Sequence, residues 1–416
     1  MKQMKKGSKT SKVKSRASAF LCAVFAAVIA GATVFSACAD SAKSFNHKSP
    51  AEDTAQTTTQ EASNSLRFVV NGDFEKNWNN AVKVSKEKGK QVWFILGADW
   101  IAPTAEANHP FGADADGFSY GRITVPAGAD IVLDLNGHTI NRGLTTYTQL
   151  GSVLCVDGGK LTLEDGAGGG TVTGGWMGEY QNWHPTLPDE DYGGGVIMKS
   201  GEFTLNGGSI TGNYADCGGG VYIFGGKFIM NGGSVTNNTA DRDGAGVEID
   251  NGADHEINGG EISYNTGKNS VDTNGGGGLQ LWQNVSLTMN GGIITHNTTK
   301  ANGGGVFVYA KATFTFNDGE ISYNEAARYE GGISMSTPST VELNGGIITG
   351  NTQTEGTAVC PGGTSTVKVG GPVKIYNNYT NGAQGNLQIA AVRQLQVTGP
   401  LITDKGTAFI GISQKI

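Results

Sequence analysis

Between residues 193 and 378 hydrophobic and polar positions return in one fixed order. A glycine run opens into an alternating strand: GGGVIMK from Gly193, GGGVYIF from Gly218, GAGVEID from Gly244, GGGLQLW from Gly276, GGGVFVY from Gly303 and GGISMS from Gly331. A second alternating strand carries Phe203/Leu205, Phe228/Met230, Leu287/Met289, Phe314/Phe316 and Val341/Leu343. It runs into Asn-Gly-Gly at Asn206, Asn231, Asn258, Asn290 and Asn344, with Asn317 heading the variant NDG. These asparagines are spaced 25, 27, 32, 27 and 27 residues apart. A third short strand follows each triplet, with the apolar column Ile210, Val235, Ile262, Ile294, Ile321, Ile348 and Ile375. Three residues beyond each of these stands an asparagine: 213, 238, 265, 297, 324, 351 and 378.

The same strand returns at a fixed period and never in mirrored order, so hairpins cannot pair it. Stacking each strand on its copy one repeat later predicts three parallel sheets wound as a single-stranded all-β coil of about ten rungs. Alternation puts Val221/Ile223, Val247/Ile249, Leu279/Leu281 and Val306/Val308 inside the coil. The seven aligned asparagines suit a corner ladder in which each side-chain amide bonds the next rung. An open coil needs its end covered. Within residues 75–88, Trp78, Ala81, Val82 and Ser85 fall on one helical face, which predicts a short N-terminal capping helix. The divisions expected are a cap region at 66–120 and the coil at 121–416, with an insertion at 176–192.

The repeats resemble a right-handed parallel β-helix of the pectate-lyase-like superfamily. They are also similar to bacterial polymorphic outer-membrane and adhesin-type surface proteins, whose repeat pairs GGA-I with F-x-x-N. Here those positions read GGG-V and I-x-x-N, and the stretch RITVPAGADIVLDLNGHTINR from Arg122 to Arg142 resembles the opening coil of such proteins. The resemblance implies the fold far more than the activity, since one fold of this kind hosts many functions. The chain lacks the Asn-Thr-Asp and Gly-His-Gly strings of polygalacturonase-like hydrolases, the Arg-x-Pro-x-x-Arg of pectate lyases and the Gly-Gly-x-Gly-x-Asp calcium repeat.

Composition agrees with a coil of tight turns. Of 416 residues 66 are glycine, without the collagen period, and charged residues make up only 16%. The first 16 residues carry seven positive charges and no acid. Without them, 23 basic residues face 37 acidic ones, a net charge of about −14, which disfavours nucleic acid as a partner. That basic start precedes an apolar run, Ala19 to Phe35, and then small residues, the order of a secretory signal over residues 1–37; a single membrane anchor is the alternative. FSAC, ending at Cys38, resembles a bacterial lipobox, so Cys38 is the candidate lipidation site and membrane link. Ala37 to Ala39 also reads as an ordinary cleavage site. Residues 38–65 are Ser/Thr/Ala/Gln-rich, a flexible tether. The remaining cysteines, Cys155, Cys217 and Cys360, are too few and too scattered for a disulfide framework and read as small core residues.

The outward positions of the Gly-rich strand form two columns: Ile197, Tyr222, Glu248, Gln280, Phe307, Ser334, and beside them Lys199, Phe224, Asp250, Trp282, Tyr309, Ser336. Rungs lie about 4.8 Å apart, close to one sugar ring. Aromatic faces stack on sugar C–H groups, and carboxylates and amides accept hydroxyl protons. Tyr222, Phe224, Glu248, Asp250, Gln280, Trp282, Phe307 and Tyr309 are therefore the expected glycan-binding residues, with Trp176, Tyr180, Trp183 and Tyr192 of the insertion roofing one end. The expected ligand is a polysaccharide or a host cell-surface glycan.

Enzymatic and structural readings stand beside this one. In a lyase or hydrolase, Glu248 and Asp250 would be the paired catalytic carboxylates. Asp241 and Asp243, in the loop entering their strand, begin a calcium-loop string without its remaining ligands, so Ca²⁺ is a weak expectation. His255 falls in an inward column and reads as a core residue, which leaves His184 as the histidine to test for chemistry. A passive spacer is the third reading.

Overall fold

The computed structural model describes residues 60–62 and 65–413, apart from 103–117, 120, 149, 179–191, 253, 269–274, 362, 389–393 and 404. The signal, Cys38, most of the tether and His184, Tyr180 and Trp183 of the insertion lie outside the described residues. No helix among those described is long and apolar enough to cross a membrane.

Glycine turns and β-branched columns build an all-β parallel β-helix. The third-column strands alone form an 11-stranded sheet from Trp100–Ile101 to Phe409–Ile410, every pair parallel and in the register the repeat predicts, such as Ile262 on Ile294 and Ile294 on Ile321. The Gly-rich strands and the strands that end at Asn-Gly-Gly belong to one 23-stranded sheet, because Leu154–Glu164 and Val196–Leu205 run through both columns. The predicted inward residues are buried, including Phe203, Phe228, Phe314, Val247, Leu279 and Ile294.

Two features differ from the sequence reading. A fourth short strand follows each of the seven ladder asparagines, for example Tyr214–Cys217 and Thr239–Asp243; with Trp176–Met177 and the antiparallel Ala383–Gln384 these make a 9-stranded sheet. Their burial patterns are mixed and several are only two residues long, so no alternation announced them. The parallel stack also begins before residue 121. Ser65–Val70 pairs in parallel with Val92–Leu96, which pairs in parallel with Asp130–Asp134.

The helix Phe74–Lys88 lies between those first two strands in the chain. Asp73 caps its start by accepting from the Lys76 N–H, and left-handed Gly89 ends it. Its predicted face is the buried one: Trp78, Ala81, Val82 and Ser85 are buried. Trp78 packs edge-on against Phe94 and donates its indole N–H to the Thr124 carbonyl, which joins the helix to the column interior.

The asparagine ladder is continuous. From Asn213 to Asn378 each residue donates both its backbone N–H and its side-chain amide to the Oδ1 of the next, ending on Asn386. A second ladder runs along the surface through the Asn-Gly-Gly residues, Asn231 to Asn206 through Asn344 to Asn317, at 2.8–2.9 Å.

Candidate functional site

The last glycine of each run has no room for a side chain. A Cβ on Gly278 would sit 2.7 Å from the Gly305 carbonyl and 2.8 Å from the Asn297 amide. The first glycine acts differently. Gly218, Gly244 and Gly303 have positive φ and turn the chain across the outer side of the strand it is about to enter, against the Cβ atoms of Tyr222, Glu248 and Phe307. In the rung between Gly244 and Gly303 the Gly276 N–H donates to the Gln280 Oε1.

The inner of the two expected binding columns is therefore covered. Tyr222, Glu248, Gln280 and Phe307 are at most 4% exposed, as are Ile197 and Ser334. Strand alternation separates one face from the other, but it does not show that a following layer returns over the outer face. The outer column is open: Phe224 is 42% exposed, and Asp250, Trp282 and Tyr309 are half-buried. Ladder hydrogen bonds fix it one residue per rung, from the Phe224 N–H to Met198 up to the Tyr309 N–H to Leu281. Trp282 and Tyr309 stack with ring centroids 4.2 Å apart and planes 5° from parallel. The Asp250 carboxylate accepts from the Tyr222 hydroxyl at 3.2 Å; burial raises its pKa and that bond offsets part of the rise.

Behind this face lies a small outer core. Cys155, Ile197, Cys217 and Tyr222 pack together, and Tyr192 stacks on Tyr222 at 4.7 Å. At its edge the structure separates the two aspartates that the sequence grouped. Asp241 accepts a hydrogen bond from the Tyr214 hydroxyl on the outside. Asp243 instead turns inward, and its carboxylate, the Glu248 carboxylate and the Cys217 thiol approach within 4.8 Å of one another, all buried. Arg242 pairs with Asp216 at 3.5 Å beside them. Burial, then Asp243 and Asp250, holds the Glu248 pKa well above the ordinary carboxylate value. Burial, then Glu248 and Asp243, likewise raises the Cys217 thiol.

His255 is fully buried, accepts the Phe228 N–H at Nδ1, and has its pKa lowered by burial, so it behaves as the core residue expected. Cys155, Cys217 and Cys360 are buried and outside any disulfide among the described residues. One exposed feature escaped the sequence reading. Tyr264, His296 and Tyr323 each precede a ladder asparagine, adopt φ of 52–54° and stack in a row at 4.9 and 5.3 Å. Their common place beside the Asn column was the available signal.

No family model, curated protein or solved structure matches this chain.

Proposed function

We propose that the chain is an exported bacterial surface protein, a right-handed parallel β-helix of the pectate-lyase-like, adhesin-bearing kind, that binds a polysaccharide or host glycan without cleaving it. The observation carrying this reading is the stacked Trp282–Tyr309 pair on an open column, with Asp250 one rung below and exposed Phe224 below that. The stacked pair offers its edges and outer ring surface to sugar C–H groups, and the Asp250 carboxylate, between Trp282 and Phe224 in the column, suits sugar hydroxyls. Cleavage on this face would need Glu248 to reach the polymer, and its burial favours binding over hydrolysis or elimination. Cys38, as a lipidated residue, would tether the coil to a membrane.

The test is native affinity electrophoresis of the polypeptide from Ala39 onward through gels holding different polysaccharides, wild type beside Trp282→Ala. Retardation of the wild type alone supports the reading, and product analysis on the same polymer separates binder from enzyme. Equal mobility of both proteins in every gel overturns it and leaves a structural spacer. Loss of membrane association in Cys38→Ala is the expected result for the anchor.

A further inference from the structure

We propose that Cys217, Asp243 and Glu248 form a binding site for a zinc-class divalent cation, held between the fourth strands of two rungs and the Gly-rich strand they enter. The three side chains come from rigid backbone. Cys217 and Asp243 are register partners on neighbouring parallel strands, and the Gly218 N–H donates to the Asp243 carbonyl at 3.1 Å. Glu248 follows five residues later, after the left-handed turn at Gly244. Their donor atoms already lie within 4.8 Å of one another. Ligands on one tetrahedral zinc stand about 3.5 Å apart, so only small side-chain rotations are needed.

A second observation marks the cluster as more than a patch of acids. Glu248 is 4% exposed, and its Oε2 is sealed from solvent without a hydrogen-bond partner. A buried carboxylate in that condition is costly unless a proton or a cation satisfies it. The nearby guanidinium of Arg242 is paired with Asp216. The donor set selects the metal. Calcium takes six to eight oxygen ligands and does not use thiolate, whereas zinc accepts one sulfur and two carboxylates with a fourth position left for another donor.

The experiment adds Co²⁺ to the metal-free folded chain. A thiolate-to-cobalt charge-transfer band in the near ultraviolet, saturating at one equivalent and removed by Zn²⁺ but not by Ca²⁺, is the expected result. C217S should abolish the band, while C155S and C360S keep it. The nearly isosteric E248Q should weaken Zn²⁺ binding at least tenfold with its far-ultraviolet circular dichroism unchanged. Absence of the band in the wild type overturns the proposal without relying on any variant. So does a band that survives C217S, or Zn²⁺ affinity unaffected by E248Q.

Discussion

Asn265 and Asn297 are 32 residues apart, yet the Asn265 side-chain amide donates to the Asn297 Oδ1 at 2.9 Å, as the ladder pairs 27 residues apart do. The longer repeat absorbs its extra length elsewhere. Gly267 pairs with Thr299 and Leu279 with Val306, so twelve positions face seven and the five extra residues are taken up between those pairs. The ladder fixes the corner, and in this rung the added length falls between the fourth strand and the Gly-rich strand.

Asn297→Ala should be severely destabilising. It removes the acceptor of the Asn265 N–H and side-chain amide, and it leaves the Ile262 carbonyl without the Asn297 amide. Urea unfolding should show a loss of about 3 kcal/mol or more, since each stranded buried polar group costs about 1–3 kcal/mol. Asn290→Ala, in the exposed ladder, should cost below about 1 kcal/mol by the same measurement. Equal losses would contradict the distinction between the two ladders.

Gly305→Ala tests close approach without any change of backbone region. The added Cβ would lie 2.8 Å from the Gly332 carbonyl and 3.0 Å from the Asn324 amide. Overpacking here should cost about 1–3 kcal/mol in a thermal or urea melt. Gly382→Ala offers a contrast: nothing lies within 4 Å of its Cβ, so only its positive φ opposes the change.

Glu248 predicts a dependence on pH. An acid whose pKa is raised by folding contributes most below its unfolded value near 4.5, and that contribution is lost as pH climbs toward the folded value. In chelator, wild-type stability should therefore fall above pH 4.5 more steeply than that of Glu248→Gln, which carries no ionisable group there. Parallel pH profiles for the two proteins would place the carboxylate in water.

Trp78→Ala should cost about 3–5 kcal/mol, the usual loss for a buried large aromatic, because it empties the helix–coil contact and strands the Thr124 carbonyl. Loss of the helical signal together with a lowered melting temperature would be the expected outcome by circular dichroism.

The sequence by itself determined the parallel stack, its inward columns, the asparagine corner and the buried face of the helix. The first three depend on residues repeating in register, since identical positions in successive repeats must meet when the repeats stack, and the helix face depends on the helical spacing of its own apolar residues. Tertiary structure decided which outward residues see water. Tyr222 and Trp282 occupy adjacent outward columns in the sequence, but the turns at Gly218, Gly244 and Gly303 lie over the first column, which is buried, and leave the second open. It also decided the partners of Asp243. Ala215 pairs with Ala240, 25 residues on, whereas Cys217 pairs with Asp243, 26 residues on, because the register shifts between them. That one-residue irregularity brings thiol and carboxylate together, and a repeat period cannot disclose it, since a bulge is set by how neighbouring strands accommodate each other once they have met.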